Sequence, residues 1–358
     1  MAYNDRYDES AKRRDAARRR RAIAMRKKRR RQVFIRKCMM AAAVVAVVGG
    51  LVGWCVRGKD KPDKESNIVE AQTVAVAADG DMEPKIQTPS IPYAQKAANY
   101  QEITDESIFS MNIAVLEVES GKVVAGRNYD TRIYPASMTK VMTLIVAAEN
   151  IGDFSQTYTF RFEDLNELYI GEATVAGYEE DEVIGVDDLL YGLVLPSGAD
   201  SAVALANMIS GSEEAFAQLM NKKAQELGLK NTHFSNPTGL HAEDQYTTPA
   251  EMAMIMEAAM SNPVCAKYLS TYQHTTAATP QHPEGILLTS TMFSRMYGDE
   301  VEGVKITAGK TGYTDEARHC LVSYAEKNGK HYVAVISDAQ DKWYSIFDTF
   351  ALYKDYAG

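Results

Sequence analysis

The sequence predicts an α+β fold in which an antiparallel five-stranded sheet is built from both ends of one domain. Two strand-like runs, "MNIAVLEV" at 111–118 and "KVVAGRN" at 122–128, open the folded region, and three more follow residue 300. Between them, apolar residues recur at helical spacing, which predicts an inserted helical subdomain. A stretch without charge precedes all of these elements and predicts one transmembrane helix.

Charge is distributed unevenly along the 358-residue chain, whose net charge is −9. Residues 1–37 carry 16 Lys and Arg against four Asp and Glu, whereas the remainder carries 23 basic and 44 acidic residues. The basic segment directly precedes "CMMAAAVVAVVGGLVGWCV", residues 38–56. As a helix this stretch spans roughly 28 Å, about the hydrocarbon thickness of a bilayer. The charge bias predicts a cytoplasmic arm at 1–37 and a single-pass anchor in the cell membrane at 38–56, with the rest of the chain extracytoplasmic.

A cleaved signal peptide and a nucleic-acid-binding arm are the alternatives for this region. A signal peptide needs a small-residue cleavage site just after the apolar run, and "GWCVRGKD" does not supply one. No aromatic residue interleaves the basic runs at 18–21 and 26–31. We therefore expect the arm to contact anionic lipid headgroups, and we expect no nucleic-acid partner.

Residues 57–100 have the composition of a linker. They are rich in Ala, Asp, Glu, Lys and Pro and show little apolar periodicity, which predicts an extracytoplasmic tether. The folded domain is predicted over 101–358. Its first two strands form a hairpin around Glu119-Ser120-Gly121.

The middle of the domain carries helix signals. The segment 137–152 has helical spacing, and 185–211 holds two helical patterns broken at Pro196-Ser197-Gly198. The segment 212–228 begins with Ser212 and closes on a glycine, and 248–261 has a proline in its first turn.

The C-terminal part returns to strands. "GVKITAGKTGYT", "HCLVSYAEK" and "KHYVAVISD" are β-rich, and Asn328-Gly329 joins the last two as a hairpin turn. A closing helix, "WYSIFDTFALYKDYA", follows. These strands complete the predicted sheet.

Ser137 and Lys140 form a Ser-x-x-Lys pair at a predicted helix start. There the backbone N–H of Ser137 is free, and the positive end of the helix dipole favours negative charge on Oγ. Lys140 lies over the same face, and shielding from water would make its amine a base. The alternative is an N-cap serine beside a solvated lysine, and the motif alone favours that alternative.

Two further motifs change this balance. "PSGAD" puts Ser197 at a break between helices, where its hydroxyl can project into a cleft. "GKTGYT" puts Lys310, Thr311 and Gly312 on a strand, and a glycine there lets another backbone approach closely. The three motifs in this order are much rarer together than any one of them alone.

With these motifs the sequence resembles the serine D-alanyl-D-alanine carboxypeptidases, or low-molecular-weight penicillin-binding proteins, of the penicillin-recognising serine enzyme superfamily that includes the β-lactamases. The resemblance covers residues 105–340 and includes "PASMTKVMT", "VDDLLYGLVLPSGAD", "LGLKNTHFSNPTGLH" and "GKTGYTDEA". It implies a β-lactamase/transpeptidase-like fold and a DD-peptidase domain at 101–358. It also implies removal of the terminal D-Ala from peptidoglycan stem peptides, inhibition by β-lactams, and no cofactor.

The resemblance also implies roles for individual residues. Ser137 would be the nucleophile and Lys140 its general base. Ser197 would hydrogen-bond to Lys140 and relay a proton to the leaving D-alanine.

Substrate binding would fall to the strand motif. Lys310 and Thr311 would hold the terminal carboxylate, and Gly312 and Tyr313 would continue the binding strand. The backbone N–H groups of Ser137 and Tyr313 would form the oxyanion hole.

One position departs from the family pattern. The middle motif is usually Ser-x-Asn, and here Ala199 stands in the third position. Losing one neutral hydrogen bond costs about 0.5–1.5 kcal/mol, so we expect turnover to be weakened and not abolished.

Two alternative functions stay open. A β-lactamase on the same fold would need a carboxylate to activate the deacylating water, and Glu163, Glu167 and Glu172 lie between the first two motifs. A non-catalytic penicillin-sensing domain is the other alternative. The six histidines show no metal-ligand spacing, so no metal site is expected.

Overall fold

The computed structural model describes residues 87–296, 298 and 301–358 of the chain. The predicted arm, the predicted anchor and the predicted linker up to residue 86 lie outside the described residues. Within the described part, no helix combines the length and the apolar character needed to cross a bilayer.

One large sheet organises the domain. The strands are β1 Gln95–Glu102, β2 Asn112–Glu117, β3 Lys122–Arg127, β4 Thr157–Thr159, β5 Val183–Gly185, β6 Gln273–Thr275, β7 Leu287–Thr289, β8 Val304–Thr314, β9 Arg318–Lys327 and β10 Lys330–Ala339. The large sheet has six of them in the order β1-β3-β2-β10-β9-β8, and β4-β5 and β6-β7 are small two-stranded sheets. The antiparallel pairing of β2 with β10, for example Val115 opposite Ala334, joins the two ends of the domain.

The predicted five-stranded antiparallel sheet is correct for β3, β2, β10, β9 and β8 but incomplete. A sixth strand, β1, pairs parallel with β3, so the sheet is mixed. β1 begins at Gln95, inside the segment predicted to be linker, and the folded region therefore starts before residue 101. The strand escaped prediction because Ala97 is its one buried residue, which leaves no alternation of apolar and polar positions.

The helices are α1 Lys140–Asn150, α2 Phe162–Ile170, α3 Val186–Val194, α4 Ala199–Ser210, α5 Glu213–Glu226, α6 Pro249–Ser261, α7 Pro263–Leu269, α8 Phe293–Met296 and α9 Lys342–Tyr356. Two of the predicted starts are confirmed in detail. The side chain of Ser212 accepts a hydrogen bond from the N–H of Ala215, and that of Thr248 accepts one from the N–H of Glu251.

The sheet is covered on both faces. Ala114 and Leu116 of β2 pack into the main core, which also holds α1 and α6. Ile113 and Val115, which alternate with them along the strand, pack into a second core with α9. The helical layer thus lies on one face of the sheet and the C-terminal helix on the other.

The segment 87–94, here called the strap, is fastened to the helical layer before it enters β1. The N–H of Thr88 donates to Glu149 Oε1 at 2.8 Å, and the hydroxyl of Tyr93 donates to Glu251 Oε1 at 3.0 Å. Glu149 lies at the end of α1, so the strap braces the helix that begins at Lys140.

Candidate active site

Ser137 lies in a tight turn whose backbone is packed closely against the loop at Gly239 and against the strand residue Gly312. The turn is a single 3₁₀ helix, Ala136–Thr139, directly before α1. Ala136 has a left-handed backbone with φ 47°. On one side the loop at Gly239 is so close that a Cβ there would lie 2.2 Å from the carbonyl oxygen of Ala136. Ser137 itself is partly exposed, so its hydroxyl is held in place and still open to a substrate.

Lys140 lies directly behind this serine and is 2% exposed. Its Nζ donates to Ser137 Oγ at 3.2 Å and also to the carbonyl oxygen of Thr238. Burial lowers the pKa of Lys140 to about 7, and the negative charge of Asp200 acts in the opposite direction. A large fraction of the amine is therefore neutral near pH 7, which suits a general base. The alternative of a solvated lysine does not fit this environment.

Ser197 faces the other lysine of the site. It has a left-handed backbone, φ 70°, between α3 and α4. Its Oγ accepts a hydrogen bond from Lys310 Nζ at 2.7 Å. The predicted partner was Lys140, and the structure gives Lys310 instead, because the long side chain of Lys310 reaches from β8 to the turn that holds Ser197.

Lys310 is 1% exposed. Its second acceptor is the carbonyl oxygen of Thr311, at 2.9 Å. Burial and the positive charges of Lys140 and Arg295 hold the pKa of Lys310 well below its usual range. Because its acceptors are neutral oxygens, an anion arriving beside Lys310 would favour the protonated form of this amine.

The rest of the strand motif lies beside Ser137. A Cβ on Gly312 would lie 3.0 Å from the backbone nitrogen of Ser137, so the glycine lets β8 pass the serine closely. Thr311 Oγ1 is 2.6 Å from Thr291 Oγ1. Tyr313 is 53% exposed at the rim, and its hydroxyl donates to Asp315 Oδ1 at 2.7 Å.

Ala199, in place of the usual asparagine, begins α4 and is 2% exposed. It packs with Leu168 and Val203 in a small apolar cluster. An apolar contact therefore occupies the position from which an amide would extend. The three glutamates considered for a deacylating base, Glu163, Glu167 and Glu172, are exposed and lie on α2 or just after it.

Four residues of the site were not predicted from the sequence. Thr238 acts through its carbonyl group, which no side-chain pattern reveals. Thr291, Arg295 and Asp200 have no distinctive spacing, and Asp200 directly follows the "PSGA" already considered. Among the described residues, no cluster of three or more His, Cys, Asp or Glu is placed to hold a metal ion.

Comparison with known proteins agrees with this geometry. The family model of the peptidase S11 D-alanyl-D-alanine carboxypeptidases matches residues 96–341. The D-alanyl-D-alanine carboxypeptidase DacF of Bacillus subtilis is 34% identical over an alignment of 267 residues, and the match covers 70% of this chain and 66% of DacF. DacA of Escherichia coli K12 is 31% identical over an alignment of 237 residues, and the match covers 62% of this chain and 54% of DacA. The chain thus spans slightly less than two thirds of the first relative and about half of the second.

Solved structures match as well. The Streptomyces K15 DD-transpeptidase is 26% identical with a TM-score of 0.64, and the match covers 70% of this chain and 99% of that one. The D-alanyl-D-alanine carboxypeptidase of Mycobacterium tuberculosis H37Rv is 27% identical with a TM-score of 0.62, covering 72% of this chain and 94% of that one. The resemblance found in the motifs is confirmed across the domain. The chain that folds Ser137, Lys140, Ser197 and Lys310 into one crevice belongs to the peptidase S11 family of D-alanyl-D-alanine carboxypeptidases.

Proposed function

We propose that this protein is a serine DD-carboxypeptidase that removes the terminal D-Ala from peptidoglycan stem peptides through an acyl-enzyme. One observation carries the proposal: a buried lysine with a lowered pKa contacts a partly exposed serine hydroxyl. This arrangement activates a nucleophile without a histidine or a metal. The family and the relatives described above support the same activity.

Acylation follows from these contacts. Lys140 takes the proton of Ser137 as Oγ bonds to the carbonyl carbon of the penultimate D-alanine. The peptide C–N bond then breaks, and the leaving amine takes a proton. Because Ser197 Oγ accepts from Lys310, its own O–H is free to give a proton to that amine. Ser197 Oγ takes a proton from Lys310 in exchange, and Lys310 recovers it from Lys140, so that Lys140 is neutral again before deacylation. In deacylation Lys140 takes a proton from water, the water oxygen bonds to the acyl carbon, the bond from that carbon to Ser137 Oγ breaks, and Lys140 returns the proton to Oγ.

The terminal carboxylate of the substrate binds to the cations beyond Ser197. Lys310, the hydroxyl of Thr311 and the neighbouring Arg295 supply positive charge and hydrogen-bond donors there. An anion at this point also offsets the repulsion between Lys310 and Arg295. The backbone N–H groups of Ser137 and Tyr313 serve as the oxyanion hole.

β-Lactams acylate the same serine, and the lifetime of the adduct separates two activities. Glu163, Glu167 and Glu172 are exposed to solvent on α2 or just after it, whereas Lys140 is buried, and this difference favours slow release over β-lactamase activity. A half-life of many minutes for the penicilloyl enzyme is expected. Release within seconds would instead identify a β-lactamase.

The N-terminal region completes the proposal. Residues 38–56 anchor the chain in the cell membrane as a single span, residues 1–37 stay in the cytoplasm on anionic headgroups, and the catalytic domain lies outside. The uncharged stretch and the basic segment before it support this topology.

The test of the activity uses the full-length chain and its Ser137→Ala variant. Wild type is expected to release D-alanine from a peptide ending in D-Ala-D-Ala and to gain the mass of one penicillin on the peptide that contains Ser137. The variant should do neither. If the wild-type chain reacts with neither the peptide nor penicillin but still binds penicillin reversibly, the penicillin-sensing alternative is supported. If it does not bind penicillin either, the carboxypeptidase and the penicillin-sensing hypotheses are both refuted.

A further inference from the structure

Asp200 is a buried carboxylate next to the active site that none of the steps above uses. It is fully buried, in the first turn of α4, three residues after Ser197. Oδ1 accepts the backbone N–H groups of Ala176 at 2.8 Å and of Ser201 at 2.9 Å. Oδ2 accepts the N–H of Gly177 at 2.9 Å. Burial raises the pKa of Asp200 above its ordinary value, and the three N–H donors act in the opposite direction by favouring the charged carboxylate.

These hydrogen bonds attach the segment 174–178 to the turn that carries Ser197. The N–H of Ala199 also donates to the carbonyl oxygen of Thr174, at 2.8 Å. Position 198 has room only for a glycine, because a Cβ there would lie 2.5 Å from Asp200 Oδ1. The carboxylate is thus built into the wall of the crevice and cannot turn towards solvent.

The charge of Asp200 also acts on Lys140. The other described groups that face Lys140 are Ser137 from its own turn, the carbonyl of Thr238 from the 236–239 loop, and the buried amine of Lys310 from β8. Asp200, on α4, supplies the negative charge that favours the protonated form of Lys140. Burial makes such an interaction stronger than it would be in water.

Building on the proposed function, we propose that Asp200 is a positioning residue of the acylation step, which clamps segment 174–178 against the Ser197 turn and holds a negative charge behind the two buried lysines. Without this charge the buried amine would lose its proton at lower pH. It would then be a weaker base, although a larger fraction of it would be neutral in mildly acidic solution.

The pH profile of acylation tests the inference. The second-order rate constant for acylation of the full-length chain by a fluorescent penicillin is measured from pH 5.5 to 9.5. In wild type it rises with pH as Lys140 deprotonates. In Asp200→Asn the rise should move to lower pH by about one unit, because an opposite charge nearby shifts a pKa by one to three units. The rate constant at high pH should fall, because the Asn amide cannot accept from all three N–H groups.

Asp188→Asn is the matched control. Asp188 is another buried aspartate of the helical layer, where it contacts His274 and the N–H of Ala277. Its variant should keep the wild-type position of the rise. A merely structural role for Asp200 would lower the rate at every pH and leave the position of the rise unchanged, and that result would overturn the inference.

A second variant covers the case in which Asp200→Asn does not fold. Gly198→Ala pushes the carboxylate out of its place while keeping the residue, so the rise should move in the same direction by a smaller amount. An unchanged rise in a folded Gly198→Ala variant would then refute the inference. If penicillin acylates the wild type and no variant moves the rise, the inference alone fails, whereas a wild type that is not acylated refutes the proposed function as well.

Discussion

Two buried lysines share one small site, and the proposed mechanism gives each a separate task. Lys140 contacts Ser137, the proposed nucleophile, and Lys310 contacts Ser197 beside the proposed carboxylate position. Two ammonium groups side by side repel each other, so the site disfavours protonation of both at once. The proposed mechanism needs one neutral amine, as a base, and one ammonium group, to bind a carboxylate. The repulsion between the two lysines favours this state, in which the pair holds one proton fewer than two separate lysines would.

Gly239 offers a test of how tightly the nucleophile turn is fixed. In Gly239→Ala the new Cβ would lie 2.2 Å from the carbonyl oxygen of Ala136, at a left-handed φ of 75°. The loop must move, which displaces the carbonyl of Thr238 from Lys140. We expect acylation to slow at least about tenfold, the equivalent of about 1.4 kcal/mol in the barrier, and urea unfolding to report lower stability.

Gly211→Ala is the control for backbone strain alone. Gly211 has a similar φ of 81°, and a Cβ there would meet no atom within 4 Å. This variant should lose about 1–2 kcal/mol of stability and keep the wild-type acylation rate. Equal acylation rates in the two variants would contradict the tight packing of Gly239 against the nucleophile turn.

At the scale of elements, the strap is the part that could not be predicted from the sequence. Its contacts run through Thr88, Tyr93 and Ala94 to single atoms of Glu149, Glu251 and Met254. Such contacts leave no periodic pattern, and β1 leaves none either. The helices around Ser212 and Thr248 could be predicted because caps and apolar periodicity are local signals.

Tyr93→Phe measures what the strap contributes. The variant removes the donor to Glu251, a fully buried carboxylate that also accepts from the N–H of Lys230 and the hydroxyl of Thr232. A hydrogen bond to a charged group contributes about 1.5–3 kcal/mol, so a loss of that size is expected in denaturant unfolding. Tyr344→Phe, which changes an exposed tyrosine on α9, should leave stability unchanged. Similar losses of stability in both variants would show that the contact between the strap and Glu251 does not stabilise the domain.

A pair of shortened chains tests the same element by another route. A chain beginning at residue 87 keeps the strap and β1, whereas one beginning at residue 103 loses both. The first should unfold at the temperature of the catalytic domain in the full-length chain, and the second at a lower temperature with slower acylation by penicillin. Identical behaviour would place the true start of the folded domain after β1.

At the scale of the whole molecule, the main architecture could be predicted because both ends of the folded domain carry strands with alternating or continuous apolar residues. The pairing partners could not be derived from that pattern, since alternation does not say which strand lies beside which. For the site, the sequence supplied Ser137, Lys140, Ser197 and Lys310 but not the contact between Ser197 and Lys310. That contact depends on the distance between β8 and α4, which only the folded molecule defines.

The proposed topology makes a separate prediction. Trypsin added to intact cells whose wall has been removed should degrade the catalytic domain and spare an N-terminal fragment containing residues 1–37. The arm has many cleavage sites but lies behind the membrane in this topology. An epitope at the N-terminus reports the fragment, and permeabilised cells are the control in which it should disappear. Loss of the epitope in intact cells would mean the reverse orientation.

The pairing of β2 with β10 has a consequence for the time at which the serine becomes reactive. A nascent chain that has reached residue 200 already contains Ser137, Lys140 and Ser197, yet β2 still lacks its neighbour and Ser197 lacks Lys310. Contacts between residues so distant in sequence form late and slowly. The contacts around Ser137 and Ser197 can therefore assemble only after β10 has been translated, and a nascent chain that lacks β8 and β10 should not be acylated by penicillin.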